Sequence, residues 1–256
     1  MGSKERFQVS RDGKTIRGTR FGLVRENAPA VILSHGFMAN SSMCRKYAKL
    51  LADMGFLAFT YDFCGGCLIG RSSGKTTDMS VLTEKDDLRA VIGYVAGLSY
   101  VDTDCISLLG CSQGGFVSAI VAAEIPDQIA SLALLYPALC IPDDARNGHM
   151  MFAKFDPANV PDKMWCGLMR LGSGYVTAVL DMDPNEAIRG YTGPVLYLQG
   201  TADTVVHPYY ARRAVKEYPN CEYHEIEGGE HMFRGQHDRI AQELIRGFFE
   251  RIPRSC

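Results

Sequence analysis

Apolar residues in this chain gather in short, nearly continuous runs that are separated by turns and by stretches with helical spacing. Continuous apolar runs are typical of strands covered on both faces, as in parallel sheets. In chain order these runs are AVILSHG (30–36), FLAFTYDF (56–63), CISLLG (105–110), IASLALLYP (129–137), PVLYLQG (194–200) and EYHEIEG (222–228). Ahead of them, FQVSRDGKTIRGTRFG predicts a hairpin that turns at Asp12-Gly13.

Helical spacing of apolar residues alternates with these strands. From Ser41 to Met54 the apolar positions predict a helix, which Gly55 ends. Further helices are predicted around Leu88–Leu98, after Gly115, and over 207–218 and 237–251. Alternation of strand and helix with short turns predicts an α/β fold with a mostly parallel, doubly wound sheet of about eight strands.

Residues 138–192 interrupt this alternation. The segment contains Pro142, Pro157 and Pro161, and its periodicity is weak. We interpret it as a small inserted cap over the carboxyl ends of the strands, where ligands bind in open α/β sheets. Residues 1–137 and 193–256 would then form the core domain.

Length, charge, apolar runs and cysteine content limit the classes of protein to which this chain can belong. A chain of 256 residues fits one large α/β domain. Lys plus Arg number 27 and Asp plus Glu 29, with no basic stripe, which argues against nucleic acid and anionic membranes as partners. No apolar run reaches the length of a membrane span. Nine scattered cysteines favour a reducing cytoplasm. The oligomeric state is open, with a homodimer as one alternative.

Two short motifs suggest other chemistry but lack its context. Cys64 and Cys67 have C-x-x-C spacing, yet no second Cys/His pair stands at zinc spacing and the pair lies in a glycine-rich loop, so we interpret both as structural. Gly74-Lys75-Thr76 resembles part of a phosphate loop without the upstream glycine. We therefore predict a surface loop there and no metal or organic cofactor.

Gly110-Cys111-Ser112-Gln113-Gly114 matches G-x-S-x-G, the strained strand-to-helix turn that exposes a nucleophilic serine. Side chains two residues away on either side would collide, which explains the glycines. The pentapeptide is weak evidence by itself, because glycine and serine are common in ordinary turns. A buried strand before it and an apolar helix after it supply the context that the motif requires. Ser112 is therefore the candidate nucleophile.

A serine hydroxyl needs a base, and histidine suits neutral pH. His231, in EGGEHMF, follows the last strand, where this architecture returns a loop to the serine. The base in turn needs an acid, and Asp203 follows a buried strand between Ser112 and His231 in the chain order of this fold. Turn aspartates also bond their own backbone, and Asp181 and Asp183 are rivals within the end of the insertion.

The tetrahedral intermediate of acyl transfer carries an oxyanion that needs backbone N–H donors. The residue after the nucleophile, Gln113, supplies one candidate amide. Phe37, in the turn after the strand that ends SHGF, supplies the second.

With these motifs in place, the sequence resembles the α/β-hydrolase family over essentially its whole length, and within it the bacterial cinnamoyl (feruloyl) esterases. The matching segments are SHGFMAN (34–40), GCSQGG (110–115), KFDPANVPD (154–162), GTADTVVHP (200–208) and EGGEHMF (227–233). Cys111 departs from the family, in which histidine often precedes the nucleophile; it is not a reacting group, and its thiol suggests sensitivity to oxidation.

The resemblance implies a serine esterase that hydrolyses small-molecule esters of hydroxycinnamic acids. It also implies Asp144 as the residue that receives the phenolic hydroxyl, with Asp143 and a solvated turn aspartate as the alternatives. Trp165 and Tyr175 are the candidate aromatic walls of the cap. Trp165, the only tryptophan, could equally belong to the core. The alternative activity is an acylglycerol or medium-chain carboxylesterase. A catalytically inactive binding protein on the same fold is the alternative from another class.

Overall fold

A computed structural model describes residues 3–252 of the chain. Eight strands form one sheet: β1 Lys4–Arg11, β2 Lys14–Phe21, β3 Ala28–Ser34, β4 Leu57–Asp62, β5 Val101–Cys111, β6 Ser131–Leu135, β11 Val195–Gly200 and β12 Cys221–Ile226. Their order across the sheet is β1-β2-β4-β3-β5-β6-β11-β12. The four remaining strands lie outside this sheet, as β7 His149–Met150, β8 Ala153–Lys154, β9 Lys163–Cys166 and β10 Met169–Gly172.

The sheet is parallel except at one edge, where β2 pairs antiparallel with β1 and with β4. The other neighbouring pairs in the eight-stranded sheet are parallel. This confirms the predicted doubly wound sheet of about eight strands. The hairpin turn at Asp12 and Gly13 is also confirmed, and both residues have the positive φ that tight hairpin turns require.

Helices cover both faces of the sheet, which explains why its central strands are largely apolar. The helices are α1 Arg45–Asp53, α2 Val81–Ala96, α3 Gln113–Glu124, α4 Ile141–Arg146, α5 Gly174–Thr177, α6 Pro184–Ile188, α7 Pro208–Ala214 and α8 Gly235–Arg251. Alternate residues of β3 point to opposite faces. Ile32 packs in the core with α2 and α3, while Val31 and Leu33 pack in the core with α1 and α8. Val31, Ile32 and Leu33 therefore all have apolar neighbours.

Helices α1 and α7 are shorter than predicted. Residues 41–44 form turns, so α1 begins at Arg45 and not at Ser41. The backbone N–H of Ser41 donates to Asp62 and that of Ser42 donates to the Asn40 side chain, and these bonds hold the segment as a loop. Helix α7 ends at Ala214, where a short 3-10 turn follows.

Between β6 and β11 the chain forms α4, two small hairpins (β7–β8 and β9–β10), α5 and α6. These elements are two to six residues long, which accounts for the weak periodicity of this segment. Its assignment as a separate cap over 138–192 remains a prediction. Within residues 3–252, no helix has the combination of length and apolar character that would let it cross a membrane.

Candidate active site

Ser112 occupies a strained turn between β5 and α3. Its φ is 53° and its ψ is −123°, a combination that is rare for residues with a side chain. Such a conformation costs of order 1–3 kcal/mol, and the surrounding structure must hold it in place. The N–H of Ser112 donates to the carbonyl of Leu135 at 2.9 Å, and its own carbonyl accepts from Ala138 at 2.9 Å. The turn is therefore anchored to the end of β6 and to the loop that follows it.

Glycines make this turn sterically feasible. A Cβ at Gly110 would lie 2.5 Å from the Cα of Gly115, inside the turn itself. A Cβ at Gly114 would lie 2.6 Å from the carbonyl oxygen of Ser34, at the end of the neighbouring strand β3. Glycine is therefore required at position 110 by the turn itself, as expected. At position 114 it is required by the close approach of the end of β3 and the loop that follows, which the linear motif does not reveal.

His231 links the serine to a carboxylate. Its Nε2 lies 3.0 Å from Ser112 Oγ, and its Nδ1 lies 2.8 Å from Asp203 Oδ2. An ionised carboxylate only accepts hydrogen bonds, so Nδ1 carries the proton and Nε2 is free to accept the serine hydroxyl. The edge of the Tyr136 ring packs against the imidazole at 4.7 Å between centroids. The structure therefore brings the three predicted residues into one hydrogen-bonded chain.

Asp203 is buried, and both of its oxygens are occupied. Oδ1 accepts from the backbone N–H groups of Val205 and Val206, each at 2.9 Å. Oδ2 accepts from Gln199 Nε2 at 3.0 Å in addition to His231. Asp203 therefore has both of the roles considered in the sequence analysis. Its Oδ1 stabilises the turn after β11, and its Oδ2 orients His231.

The rival aspartates lie elsewhere. Asp183 caps α6, where its side chain accepts from the backbone N–H groups of Asn185 and Glu186. The side chain of Asp181 is exposed. Neither contacts the imidazole in the part of the chain that the structure describes.

Two backbone N–H groups next to Ser112 have no acceptor among residues 3–252, those of Phe37 and Gln113. Gln113 is the first residue of α3, so its N–H lies at the positive end of the helix dipole. The loop of Phe37 approaches the serine closely, since a Cβ at Gly36 would lie 3.0 Å from Ser112 Cβ. Unpaired amides beside the nucleophile are the groups that can hold an oxyanion.

The side chain of Gln113 takes part in a buried network that sequence reasoning missed. Its Nε2 donates to Glu84 Oε2 at 2.7 Å, and its Oε1 accepts from the Tyr175 hydroxyl at 2.5 Å. Burial raises the pKa of the Glu84 carboxyl well above its usual value. A signal was present in the sequence, because Glu84 stands on the same helical face as the buried Val81 and Leu88.

A narrow cavity of about 40 Å³ opens beside Ser112. Its walls are mostly apolar, and its polar side chains include Asp144. The lining residues are Phe37, Ser112, Gln113, Ala138, Cys140, Ile141, Asp144, Met150, Met151, Tyr175, Val205 and Val206. Burial raises the pKa of Asp144. Asp143 instead bonds Arg146 and the Tyr210 hydroxyl, so of the two candidate aspartates it is Asp144 that lines the cavity.

Trp165 does not reach this cavity. It lies on β9, its side chain is 65% exposed, and the Arg170 guanidinium sits 5.7 Å from the centre of its ring. The structure thus brings Tyr175 to the pocket and leaves Trp165 on the surface and outside the core. The reason is the alternation of side chains along β9, in which Met164 and Cys166 take the buried positions.

The cysteines are free thiols among the described residues. Cys111 is buried beneath the turn, and its hydrogen bond with Cys44, together with burial, raises the pKa of the Cys44 thiol. Burial and the nearby Asp87 raise the pKa of Cys64 to about 12, which disfavours the reactive thiolate. Within residues 3–252, no cluster of His, Cys, Asp and Glu side chains is arranged to hold a metal ion.

A larger cleft, of about 380 Å³, has a different character. Four of its lining residues are cationic, namely Lys4, Arg6, Arg45 and Arg71. Histidine is missing from the lining that the structure describes, so the serines there have no neighbouring imidazole base. The small cavity beside Ser112 is therefore the candidate active site.

Comparison with known proteins agrees with the fold. The sequence model of the alpha/beta hydrolase fold family matches residues 29–166, and the chain belongs to this family. Among solved structures, Est1E from Butyrivibrio proteoclasticus with ferulic acid bound is similar, with a TM-score of 0.89, 29% identity, and coverage of 96% of this chain and 98% of that chain. The resemblance to bacterial feruloyl esterases is thereby confirmed.

More distant similarities support the fold. DcsB, solved in complex with its substrate analogue, has a TM-score of 0.80 at 21% identity, covering 98% of this chain and 100% of that chain. Among curated proteins, the alpha/beta hydrolase domain-containing protein WAV2 of Arabidopsis thaliana is 27% identical over 168 residues, which are 64% of this chain. That match spans 51% of WAV2. The uncharacterized protein YcjY of Escherichia coli K12 is 34% identical over 97 residues, 37% of this chain and 31% of YcjY.

Proposed function

We propose that this alpha/beta hydrolase is a serine esterase that cleaves esters of hydroxycinnamic acids through an acyl-enzyme intermediate. The observation that carries the proposal is the hydrogen-bonded chain from Ser112 Oγ through His231 to Asp203, placed at the wall of a cavity. These groups have the order, spacing and protonation pattern that acyl transfer to serine requires.

The mechanism follows from this geometry. Ser112 Oγ attacks the ester carbonyl carbon while His231 Nε2 takes the hydroxyl proton. The carbonyl oxygen becomes an oxyanion, which the N–H groups of Phe37 and Gln113 hold. Collapse of the intermediate expels the alcohol, protonated by His231, and leaves the acyl group on Ser112. Water then attacks the acyl-enzyme while His231 takes a proton from this water. His231 returns the proton to Ser112 Oγ as the acid leaves.

The shape and polarity of the cavity support an aromatic acyl group. Phe37 and Tyr175 pack with 5.3 Å between their ring centroids and line the cavity with Ile141. Asp144 supplies a hydrogen-bond acceptor for a phenolic hydroxyl. The similarity to Est1E with ferulic acid bound supports the same acyl class.

The cavity is small, at about 40 Å³, so we expect it to widen when an aromatic acyl group enters. Met150 and Met151, on the β7–β8 hairpin, line one side of it. Methionine side chains are flexible and adapt their shape to a neighbour. We expect rotation of these side chains to make room for the acyl group.

An apolar surface near the cavity favours a second candidate, an acylglycerol or medium-chain carboxylesterase. Phe152 is 69% exposed at the tip of the β7–β8 hairpin, and Leu168 is 82% exposed at the tip of the β9–β10 hairpin. The two tips adjoin, because a Cβ at Gly167 would lie 3.4 Å from the Phe152 ring. Exposed apolar patches of this kind suit an acyl chain or a lipid surface.

The test compares purified protein with its Ser112→Ala variant on methyl ferulate, chlorogenate and a monoacylglycerol. Ser10→Ala, which changes an exposed serine of β1, is the matched control. We expect hydrolysis of the cinnamate esters by the wild type and the control, and loss of at least about 10³-fold in kcat for Ser112→Ala. A monoacylglycerol rate higher by tenfold, about 1.4 kcal/mol in barrier, would favour the second candidate.

A fluorophosphonate probe separates both esterases from an inactive binding protein. Covalent labelling that disappears in Ser112→Ala supports an activated serine. An intact, folded wild type that takes up no label would overturn the catalytic proposal altogether.

A further inference from the structure

Glu84 is a buried carboxyl group for which the mechanism above has no use. It lies in the first turn of α2 and is 1% exposed. Arg11 is paired with Asp87, one turn further along α2, and not with Glu84. Burying a carboxyl group is costly unless its hydrogen bonds are strong, so its position calls for an explanation. The bond that the structure gives it is to the side chain of Gln113.

The hydrogen bonds of Gln113 have a fixed direction. Gln113 Nε2 lies 2.7 Å from Glu84 Oε2 and 3.7 Å from Met79 Sδ, and both of these atoms accept hydrogen bonds. Gln113 therefore presents its NH₂ group to Glu84 and its carbonyl oxygen to Tyr175. The Tyr175 hydroxyl must then donate its only proton to Gln113. Its oxygen keeps its lone pairs, which are available to accept a hydrogen bond from the cavity that Tyr175 lines.

We propose that Glu84 is a positioning residue that sets the hydrogen-bond polarity of the acyl pocket, acting through Gln113 so that Tyr175 can only accept. The inference rests on the proposed function and names the substrate class more closely. Asp144, on the same cavity, is an acceptor as well. A pocket in which Tyr175 and Asp144 both accept selects acyl groups that carry a free hydroxyl and rejects those in which that oxygen is methylated.

Once Glu84 is replaced, the side-chain amide of Gln113 can adopt either of two orientations. In Glu84→Met the acceptor is lost, and Gln113 can rotate its NH₂ group toward Tyr175, whose hydroxyl then donates into the pocket. Selectivity between hydroxyl and methoxyl groups should therefore fall. Glu84→Gln supplies both a donor and an acceptor and should give an intermediate result. Asp87→Asn is the control, because Asp87 is a buried carboxyl group on the same helix that bonds Arg11 and Cys64.

The measurement is binding of p-coumaric acid and p-methoxycinnamic acid by calorimetry in a Ser112→Ala background, together with hydrolysis of their methyl esters by the Ser112 enzymes. We expect the parent protein to prefer the hydroxyl compound by about tenfold. In Glu84→Met that ratio should drop to within about twofold, as in Tyr175→Phe, while Asp87→Asn keeps it. Adding Glu84→Met to Tyr175→Phe should change the ratio no further, since the two act through one path.

The results distinguish failure of the proposed function from failure of the proposed role of Glu84. If both acids bind with the expected ratio but no ester is cleaved, the proposed function fails and the role of Glu84 stands. If esters are cleaved in a Ser112-dependent manner but Glu84→Met keeps the parent ratio in a folded protein, the role of Glu84 is overturned. A parent protein that binds both acids equally, or neither, overturns it too.

Discussion

Single residues around Ser112 show what a linear motif can and cannot reveal. Ser112, His231 and Asp203 stood out in the sequence because each follows a strand, and parallel strands end at one edge of the sheet. The network of Glu84, Gln113 and Tyr175 was not predictable in this way. Its members contact one another because α2 packs against α3 and the Tyr175 hydroxyl of α5 reaches Gln113. No spacing along the chain encodes these contacts.

Gly114 allows a direct test of the close approach between α3 and the end of β3. We expect Gly114→Ala to lower the free energy of unfolding by about 1–3 kcal/mol, because the new Cβ would overlap the backbone of Ser34 and His35. Gly93→Ala is the matched control. Gly93 lies in α2 with no atom near a new Cβ, so this change should stabilise by about 0.5–1 kcal/mol. Urea unfolding of both variants measures the difference, and equal stability would contradict the packing described.

Asp203 tests the link between hydrogen-bond direction and chemistry. In Asp203→Asn the amide NH₂ can donate to His231 Nδ1, which favours the tautomer with the proton on Nε2. That nitrogen can no longer accept from Ser112, so we expect kcat to fall by about 10³–10⁴-fold. Asp183→Asn, which changes the cap of α6, should leave kcat within about twofold. Steady-state kinetics on a p-nitrophenyl ester measure both, and comparable losses in the two variants would remove Asp203 from its proposed role.

At the level of elements, the strands and long helices followed from apolar periodicity, and the segment between β6 and β11 did not. Its hairpins β7–β8 and β9–β10 have strands of two to four residues, too short for a recognisable alternation. Trp165 illustrates the consequence. Whether an aromatic side chain lines a pocket or faces solvent depends on the register of such a short strand, which the sequence pattern leaves undetermined.

The hairpin tips should affect substrate binding more than stability. Phe152 and Leu168 are exposed, so replacing both with serine should change the free energy of unfolding by less than about 1 kcal/mol. Met151, next to Phe152, lines the cavity, so we expect KM for esters with a large apolar group to rise severalfold while p-nitrophenyl acetate is unaffected. Ile69→Ser, at an exposed residue that lines the cationic cleft, is the control. Unchanged KM values for every ester would remove the tips from the substrate path.

For the whole molecule, buried carboxyl groups couple folding to pH. Burial raises the pKa of Glu84 well above its ordinary value of 4.5 in the folded state. Below about pH 4.5 both the folded and unfolded states hold the proton, and the stability that this group contributes is fully present. As pH rises, the unfolded state releases its proton first. Stability therefore falls, by at most about 1.4 kcal/mol per pH unit, until the folded carboxyl group also ionises.

Glu84→Gln removes this titration. The free energy of unfolding of this variant, relative to that of the wild type, should therefore increase between pH 5 and pH 8.

For Glu225→Gln we expect the opposite dependence of relative stability on pH. Hydrogen bonds from Arg212 lower the pKa of Glu225 to about 2. Glu225 therefore stabilises the wild type at pH values above the pKa of this group in the unfolded state, and this stability is lost as pH falls toward 2. That gain is small because the pair is largely solvated. Urea unfolding across pH resolves the two trends. A Glu84→Gln difference that is constant with pH would mean that this carboxyl group titrates alike in both states, and that burial beside Gln113 does not retain its proton.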